Sequence, residues 1–304
     1  MLVAVTGATG FLGRYIVSHL VENGHRCRCW HRPQSDRGGF DHEDQIEWVP
    51  GSLEAPDDFG EFCRGVDAIV HSALYRPPGA GFRAAAAEHL EAFIRANLLG
   101  SLSLMETARR QDVPRFVFIS TCAVHEVILS DRPLDESHPL WPMTHYGAHK
   151  AAIEKFVHSF GLGGGWPVCA LRPTGIYGLA HPANKSRWFD IVGRVTRGES
   201  FTSDRGGKEV HAADVARAVK LLLEAPADRI TGQAFNCYDM YIAEQTVAQL
   251  ACDISGSGAK VGGENRGAKN QIDTSKLKSL GMAFGGESLL RGTLENLVDA
   301  ARKT

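Results

Sequence analysis

The sequence lacks an excess of charge of either sign: 33 Lys and Arg stand against 35 Asp and Glu, a formal balance of −2 over 304 residues. A chain built to hold a nucleic-acid backbone would be basic, so no nucleic-acid partner is expected. Long apolar runs are missing too. The longest stretch free of formal charge, Phe156 to Leu171, is broken by Gly161, Gly163, Gly164, Gly165 and Pro167. It falls short of the roughly 20 residues that a membrane-spanning helix needs, and no membrane segment is expected. Cysteine is scarce and unpaired in pattern, with seven residues, no Cys-x-x-Cys, and Cys27 and Cys29 too close on one expected strand for a conventional structural disulfide. That usage, together with an N-terminus MLVAVTGATGFLG lacking a basic n-region, points to a reducing cytoplasm. No histidine stands at a spacing from acids that suggests a metal site, and there is no internal repeat, low-complexity tract or long linker.

What is present is alternation. A hydrophobic fraction of 43% is enough to bury the core of one large or two modest domains. Leu2 to Thr6 is a short apolar run followed by a glycine turn. Leu12, Ile16 and Leu20, beside Val17 and Val21, then recur at helical spacing up to Asn23-Gly24, which reads as strand, turn, amphipathic helix and stop. Further strands are expected at Arg26 to His31, Asp67 to His71, Phe116 to Ser120 and Val168 to Leu171, with helical patterns between them. This order predicts an α/β fold with a parallel sheet covered by helices on both faces. After about Ile176 the alternation fades, Arg205-Gly206-Gly207 and Ser255 to Gly267 read as loops, and a helical pattern resumes from Glu287 to Ala301. A smaller lobe is expected there.

Gly7, Gly10 and Gly13 lie between the first strand and its helix, where missing side chains let backbone N–H groups and a positive helix end approach a pyrophosphate. The spacing is G-x-x-G-x-x-G, which departs from the G-x-G-x-x-G dinucleotide fingerprint. With this opening, TGATGFLG at Thr6 to Gly13, the sequence resembles the extended short-chain dehydrogenase/reductase superfamily, the NAD-dependent epimerase/dehydratase group. Further islands follow in the family's order: VDAIVHSAL at Val66 to Leu74, Asn97 with Gly100, RFVFISTCAVH at Arg115 to His125, YGAHK at Tyr146 to Lys150, LRPTGIYG at Leu171 to Gly178, and VHAADVARAV at Val210 to Val219. Phe235-Asn236 and IDTSKLKSLG at Ile272 to Gly281 also look like the family's C-terminal lobe.

The resemblance implies a Rossmann-type doubly wound sheet over residues 1–175, with 208–237 returning to it, and a discontinuous substrate lobe over 176–207 and 238–304. It implies cofactor contacts at Gly7, Gly10, Phe11, Leu12, Gly13, His31, Arg32, Ser52, Leu53, Ala73, Tyr146, Lys150 and Pro173. Hydride exchange between a nicotinamide and a carbonyl also needs a proton donor with a pKa near working pH. Tyr146 and Lys150 are one helical turn apart, and an ammonium on the same face favours the phenolate. By resemblance Tyr146 is the general acid/base, Lys150 lowers its pKa and holds the nicotinamide ribose, Thr121 bonds the substrate oxygen, and Asn97 supports them.

Absences then narrow the function. After the second strand, where NAD-specific sites carry an acid, stand His31 and Arg32, and a cation there suits a 2′-phosphate. NADP(H) is therefore expected over NAD(H), with NAD(H) possible. The family's aspartate before Leu53 is Ser52 here. Cys122-Ala123 stands where 4,6-dehydratases have an Asp-Glu pair, and Gly175 and Gly207 stand where nucleotide-sugar epimerases commonly have Asn and Arg. Lys185, Arg187 and Lys208 leave a basic loop or an anion site open, and Arg14 reads as an exposed helix cation by default. Ala151, Ile153, Phe156, Val157 and Phe160 form an apolar helix face that serves either the core or the two-fold helix bundle of a homodimer. The leading expectation is a cytoplasmic oxidoreductase acting on a secondary alcohol or ketone of a small sugar, polyol or carbonyl compound. The alternatives are a sugar or nucleotide-sugar epimerase holding NAD and a non-catalytic dinucleotide-sensing scaffold.

Overall fold

The computed structural model describes residues 1–76 and 81–303. Its strands in chain order are β1 (Leu2–Thr6), β2 (Arg26–His31), β3 (Ile46–Pro50), β4 (Ala68–His71), β5 (Phe116–Ile119), β6 (Val168–Pro173), β7 (Gly175–Tyr177), β8 (Phe201–Thr202), β9 (Gly206–His211), β10 (Gln233–Cys237), β11 (Met240–Ala243) and β12 (Val261–Gly262). The chain divides into two compact units. The larger takes in Met1–Pro173, Val215–Cys237 and Ile272–Met282, and the smaller Thr174–Asp214, Tyr238–Gln271 and Ala283–Thr304.

The larger unit is a seven-stranded sheet in the order β10-β6-β5-β4-β1-β2-β3, with every neighbouring pair parallel. Its central strands are buried because helices cover both faces: every residue of β4 and β5 is buried, and all but His71 are apolar. Helix Phe11–Glu22 buries Ile16, Val17, Leu20 and Val21 and stops at Asn23, where Gly24 takes φ +79°. A second layer around Phe59, Phe62, Leu104, Met105, Phe116, Phe118, Ile153 and Val157 closes the core. The chain order reverses between β4-β1 and β1-β2, the switch point at which open α/β sheets leave a crevice beyond the carboxyl ends of their strands.

Several boundaries differ from expectation for physical reasons. Ser120 lies beyond β5 and Asp67 before β4, while β6 runs on to Pro173. β3 and β10 are edge strands, mixed in burial or flanked by polar residues, so neither presents a clean apolar run. Phe235-Asn236 pairs with β6. Ile272 bridges Leu134 and Asp273 accepts from Asn236 Nδ2, so residues 272–282 belong to the larger unit. Residues 208–211 sit in β9 of the smaller one. Ile153 and Val157 face the core, which leaves Phe156 as the exposed member of that helix's apolar set.

The smaller unit has a three-stranded sheet, β11-β9-β7, and a β12-β8 pair. Helices Phe189–Thr196, Glu244–Ser255 and Gly286–Arg302 surround a core of Tyr177, Trp188, Val192, Val195, Leu294 and Val298. Gly206 and Gly207, expected as loop, are strand residues because β11 pairs with them at Ala243 and Ile242.

Candidate active site

The glycine turn forms the head of a cleft of about 600 Å3 in the larger unit, lined in part by Gly7, Gly10, Phe11, Arg32, Ser52 and Ala73. Gly7 has φ +70°, and a Cβ there would lie 2.8 Å from Ala73 N. At Gly13 a Cβ would lie 2.0 Å from Gly7 O, so the helix starts directly against the turn. Gly10 caps that helix without a side-chain bond, and the first N–H groups of the helix stay available to an anion. Leu12, Gly13, His31 and Leu53 line the same cleft.

The wall beyond β2 is built by residues 32–40. Arg32 is exposed and its backbone N–H donates to Ser35 Oγ at 2.9 Å. Asp36, the carboxylate on this wall, accepts from Gly38 N at 3.0 Å and faces Arg14 at 3.5 Å. Arg14 is not the exposed helix cation its position suggests: it donates to Gly38 O and Asp36 O, both at 2.8 Å, and stacks 4.7 Å from the Phe40 ring. Trp30, Gln34, Ser35, Gly51, Ser72, Leu74, Tyr75 and Arg76 also line the cleft. Sequence reasoning passed over them, although Trp30 is the next-to-last residue of β2 and the others follow the carboxyl ends of β2, β3 or β4, and that placement was the available signal.

Below the cleft a chain of hydrogen bonds ties β1 to β4. Ala73 N donates to Thr6 Oγ1 at 3.1 Å, and Thr6 Oγ1 meets His71 Nδ1 at 2.7 Å. His71 Nε2 meets Ser101 Oγ at 2.8 Å, which donates to Asn97 O at 2.5 Å. Following the donors along this chain places the imidazole proton on Nε2. Asn97 itself clasps the backbone of Tyr75, accepting from its N–H at 2.7 Å and donating to its carbonyl at 3.0 Å. The structure thus puts Asn97 beside the cleft wall as a brace for residues 73–75.

At the carboxyl end of β5, Thr121 Oγ1 accepts from Ala123 N at 3.1 Å, leaving its own proton free to be donated. Helix His145–His158 begins close by. Thr144 Oγ1 caps it by accepting from Gly147 N at 3.1 Å. The carboxylate of Glu126 accepts from Thr144 N at 2.9 Å. A Cβ at Gly147 would lie 2.6 Å from Ala123 O, so glycine there lets the helix press against the turn that carries Thr121. One turn into this helix Lys150 is buried, donates to Ile119 O at 2.7 Å and lies 4.5 Å from the Phe118 ring. Burial lowers its pKa to about 7 against the opposing charge of Glu154. Pro173 ends β6.

Burial, reinforced by neighbouring cations, pushes His71 and His149 down to about 3 and His125 to about 4. All three are neutral when folded and gain a proton on unfolding below their ordinary value of 6.5. The unfolded state then binds more protons than the native one, so stability falls as pH drops from 6.5 toward 4, by about 2 kcal/mol per histidine at pH 5. Chemical denaturation at pH 7.5 and pH 5 should show His71→Asn losing about 2 kcal/mol less stability over that interval than the native chain, the share of one of the three histidines.

In the smaller unit Arg187 pairs with Glu209 at 2.7 Å, and the Glu209 side chain is 1% exposed. A Cβ at Gly175 or at Gly207 would lie 2.3 Å from a Glu209 carboxylate oxygen. Burial raises this carboxyl to about 7, with Arg187 opposing. His211 contacts Thr293 Oγ1 at 3.1 Å. Among the described residues no cluster of His, Cys, Asp and Glu is arranged to hold a metal ion, and no helix is long and apolar enough to cross a membrane.

The sequence profile of the NAD dependent epimerase/dehydratase family matches residues 3–237, and the chain belongs to this family. The 4-hydroxy-2-methyl-3-oxo-4-farnesyl-3,4-dihydroquinoline-1-oxide ketoreductase of Stigmatella aurantiaca is 32% identical over 230 residues, 72% of this chain and 64% of that protein. The 3-beta-hydroxysteroid dehydrogenase of Mycolicibacterium neoaurum is 26% identical over 195 residues, 62% of this chain and 51% of that one. The chain thus spans between half and two-thirds of the length of these relatives. Among solved structures, the UDP-glucose 4-epimerase of Thermotoga maritima with UDP-glucose has a TM-score of 0.79 at 22% identity, covering 100% of this chain and 99% of that one. The Thermus thermophilus enzyme of the same name, in complex with NAD, has a TM-score of 0.77 at 21% identity, covering 98% and 99%. At these identities the likeness is one of fold.

Proposed function

We propose that the chain is an NAD(P)-dependent oxidoreductase that moves hydride between a nicotinamide, NADP(H) in preference, and a secondary alcohol or ketone of a small sugar, polyol or carbonyl compound. The observation that carries this reading is the arrangement at the carboxyl end of the sheet: a glycine-walled nucleotide cleft, with Thr121, Tyr146 and Lys150 on the turn after β5 and the helix pressed against it. In this reading Tyr146 transfers the proton. Lys150 supplies positive charge beside it and bonds the nicotinamide ribose, Thr121 donates to the substrate oxygen, and Asn97 braces the wall. A bound nicotinamide supplies or accepts the hydride. The first backbone N–H groups of the helix, at Phe11 to Gly13, fit its pyrophosphate, and Ser52, Leu53 and Ala73 fit its adenosine half.

Arg32 supports NADP(H): it stands exposed on the cleft wall, while Asp36 is turned to Arg14 and Gly38. The ketoreductase and steroid dehydrogenase names among the relatives favour the carbonyl end of the substrate range. The smaller unit is proposed to take the substrate. There the buried Glu209 carboxylate occupies the space over Gly175 and Gly207, which argues against a nucleotide-diphosphate substrate and hence against a nucleotide-sugar epimerase. A homodimer and a cytoplasmic location complete the proposal, and sedimentation to a monomer mass would remove the first.

The test is to denature freshly purified protein, identify any released nucleotide by mass, and compare melting shifts of the stripped protein with each cofactor. Preferential binding raises the melting temperature by mass action. NADP(H) is expected to give the larger shift, and Arg32→Ser should weaken NADP(H) by about tenfold or more while leaving NAD(H) unchanged. Near-stoichiometric NAD carried through purification would favour the epimerase instead.

A further inference from the structure

Behind the site lies a group of polar side chains that the proposed reaction does not use. Helix His145–His158 carries Tyr146, Lys150 and Glu154 at successive four-residue steps, so the three share one face. Glu154 is fully buried. Its carboxylate accepts from Arg172 Nε at 3.1 and 3.0 Å and from Nη2 at 2.6 Å, and also takes a hydrogen bond from Ser120 Oγ. Arg172, itself 1% exposed, is held from behind by His125 Nε2 at 3.1 Å and by the carbonyl of Glu136 at 3.3 Å. The end of β5 is therefore fastened to the helix at two consecutive residues, Ile119 through Lys150 and Ser120 through Glu154. The next residue is Thr121.

We propose that Glu154, oriented by Arg172, is a positioning residue for this site: it locks Ser120 and so Thr121 against the helix bearing Tyr146 and Lys150, and places its carboxylate one helical turn beyond Lys150. The inference rests on the oxidoreductase reading. A buried ion pair is a poor source of stability, since desolvation offsets its attraction, whereas removing one partner strands the other. Fixing the register between strand and helix is a use that a hydrophobic pair of the same size would not serve. The titratable groups around Lys150 are Tyr146, His149 and Glu154 on its own helix and His71 on β4, while Arg172 on β6 is paired with Glu154. Both histidines are neutral at neutral pH, so Glu154 is the charge that opposes the effect of burial on Lys150.

The sign of each change follows. Glu154→Gln removes the favourable charge and leaves Arg172 uncompensated, which moves Lys150 down. Arg172→Gln leaves Glu154 unbalanced and moves Lys150 up. With lysine labelled at the ε-carbon, NMR titration of the folded protein should place the Lys150 midpoint about one pH unit or more lower in Glu154→Gln than in the native chain, a tenfold change in the equilibrium. It should rise in Arg172→Gln. Ser120→Ala keeps the ion pair and decides the geometric half even where the charge variants do not fold: kcat should fall about tenfold with cofactor Kd unchanged. An unmoved Lys150 midpoint in a folded Glu154→Gln, or native kcat in Ser120→Ala, overturns the inference. The titration needs no substrate, so absence of turnover in the native chain would sink the oxidoreductase reading while leaving this one standing or falling on the Lys150 midpoint.

Discussion

Tyr146→Phe is expected to lower kcat by about 10²- to 10⁴-fold, the range that positioned proton transfer contributes, with nucleotide binding nearly intact. The substitution removes one oxygen and keeps the ring. That ring packs at 5.4 Å from His149 and against the small cluster of Ala86 and Phe93, contacts that Phe reproduces. A defect therefore reports on the hydroxyl. The phenol sits one helical turn before Lys150, whose own pKa burial has brought down to about 7. Single-turnover hydride transfer and nucleotide titration on the same preparation separate the two effects. Turnover retained at native rates would assign the proton to another group.

Gly13→Ala should be the most damaging single methyl in the cofactor cleft. The added Cβ would meet Gly7 O at 2.0 Å, Gly7 C at 2.7 Å and Ala8 Cα at 2.8 Å, all backbone. None of these is the end of a side chain that swings aside, and Gly7 is itself fixed at φ +70° against Ala73. The helix must back away from the turn. Overpacking of this kind costs about 1–3 kcal/mol or more, which for a unit of this size is roughly 2–4 °C of melting temperature per kcal/mol. Retreat of the helix also removes its N–H groups from the nucleotide, so the stabilisation by added NADP(H) should shrink or vanish. Gly10→Ala is the control, because its Cβ would stand 3.2 Å from Gly7 O at an ordinary φ of −77°. A native melting point with a full cofactor shift in Gly13→Ala would show that the turn is not the nucleotide seat.

The fold class and the cleft were legible in the sequence because each rests on local pattern. Val3 to Val5 and Phe116 to Ile119 read as strands since both faces of the central sheet are covered, so no polar alternation blurs the signal. The glycine turn was legible because glycine itself records the close approach. Tyr146 and Lys150 were legible because four residues on a helix are one turn whatever surrounds them.

Other features were decided only by tertiary structure. β3 and β10 are strands because a neighbouring strand supplies hydrogen bonds, a fact absent from their own residues. Ile272 to Met282 joins the larger unit through a bridge to Leu134 and a bond to Asn236, contacts that span well over thirty residues of chain. Arg14 left its default place in solvent because residues 36–40 fold over it. Glu154 gave no sign of importance as one acid on a helix, and its role arises from meeting Ser120 and Arg172 from two other strands' ends. Periodicity and backbone permissiveness are written along the chain, whereas the charge and burial that a side chain experiences are set by whatever the fold brings against it.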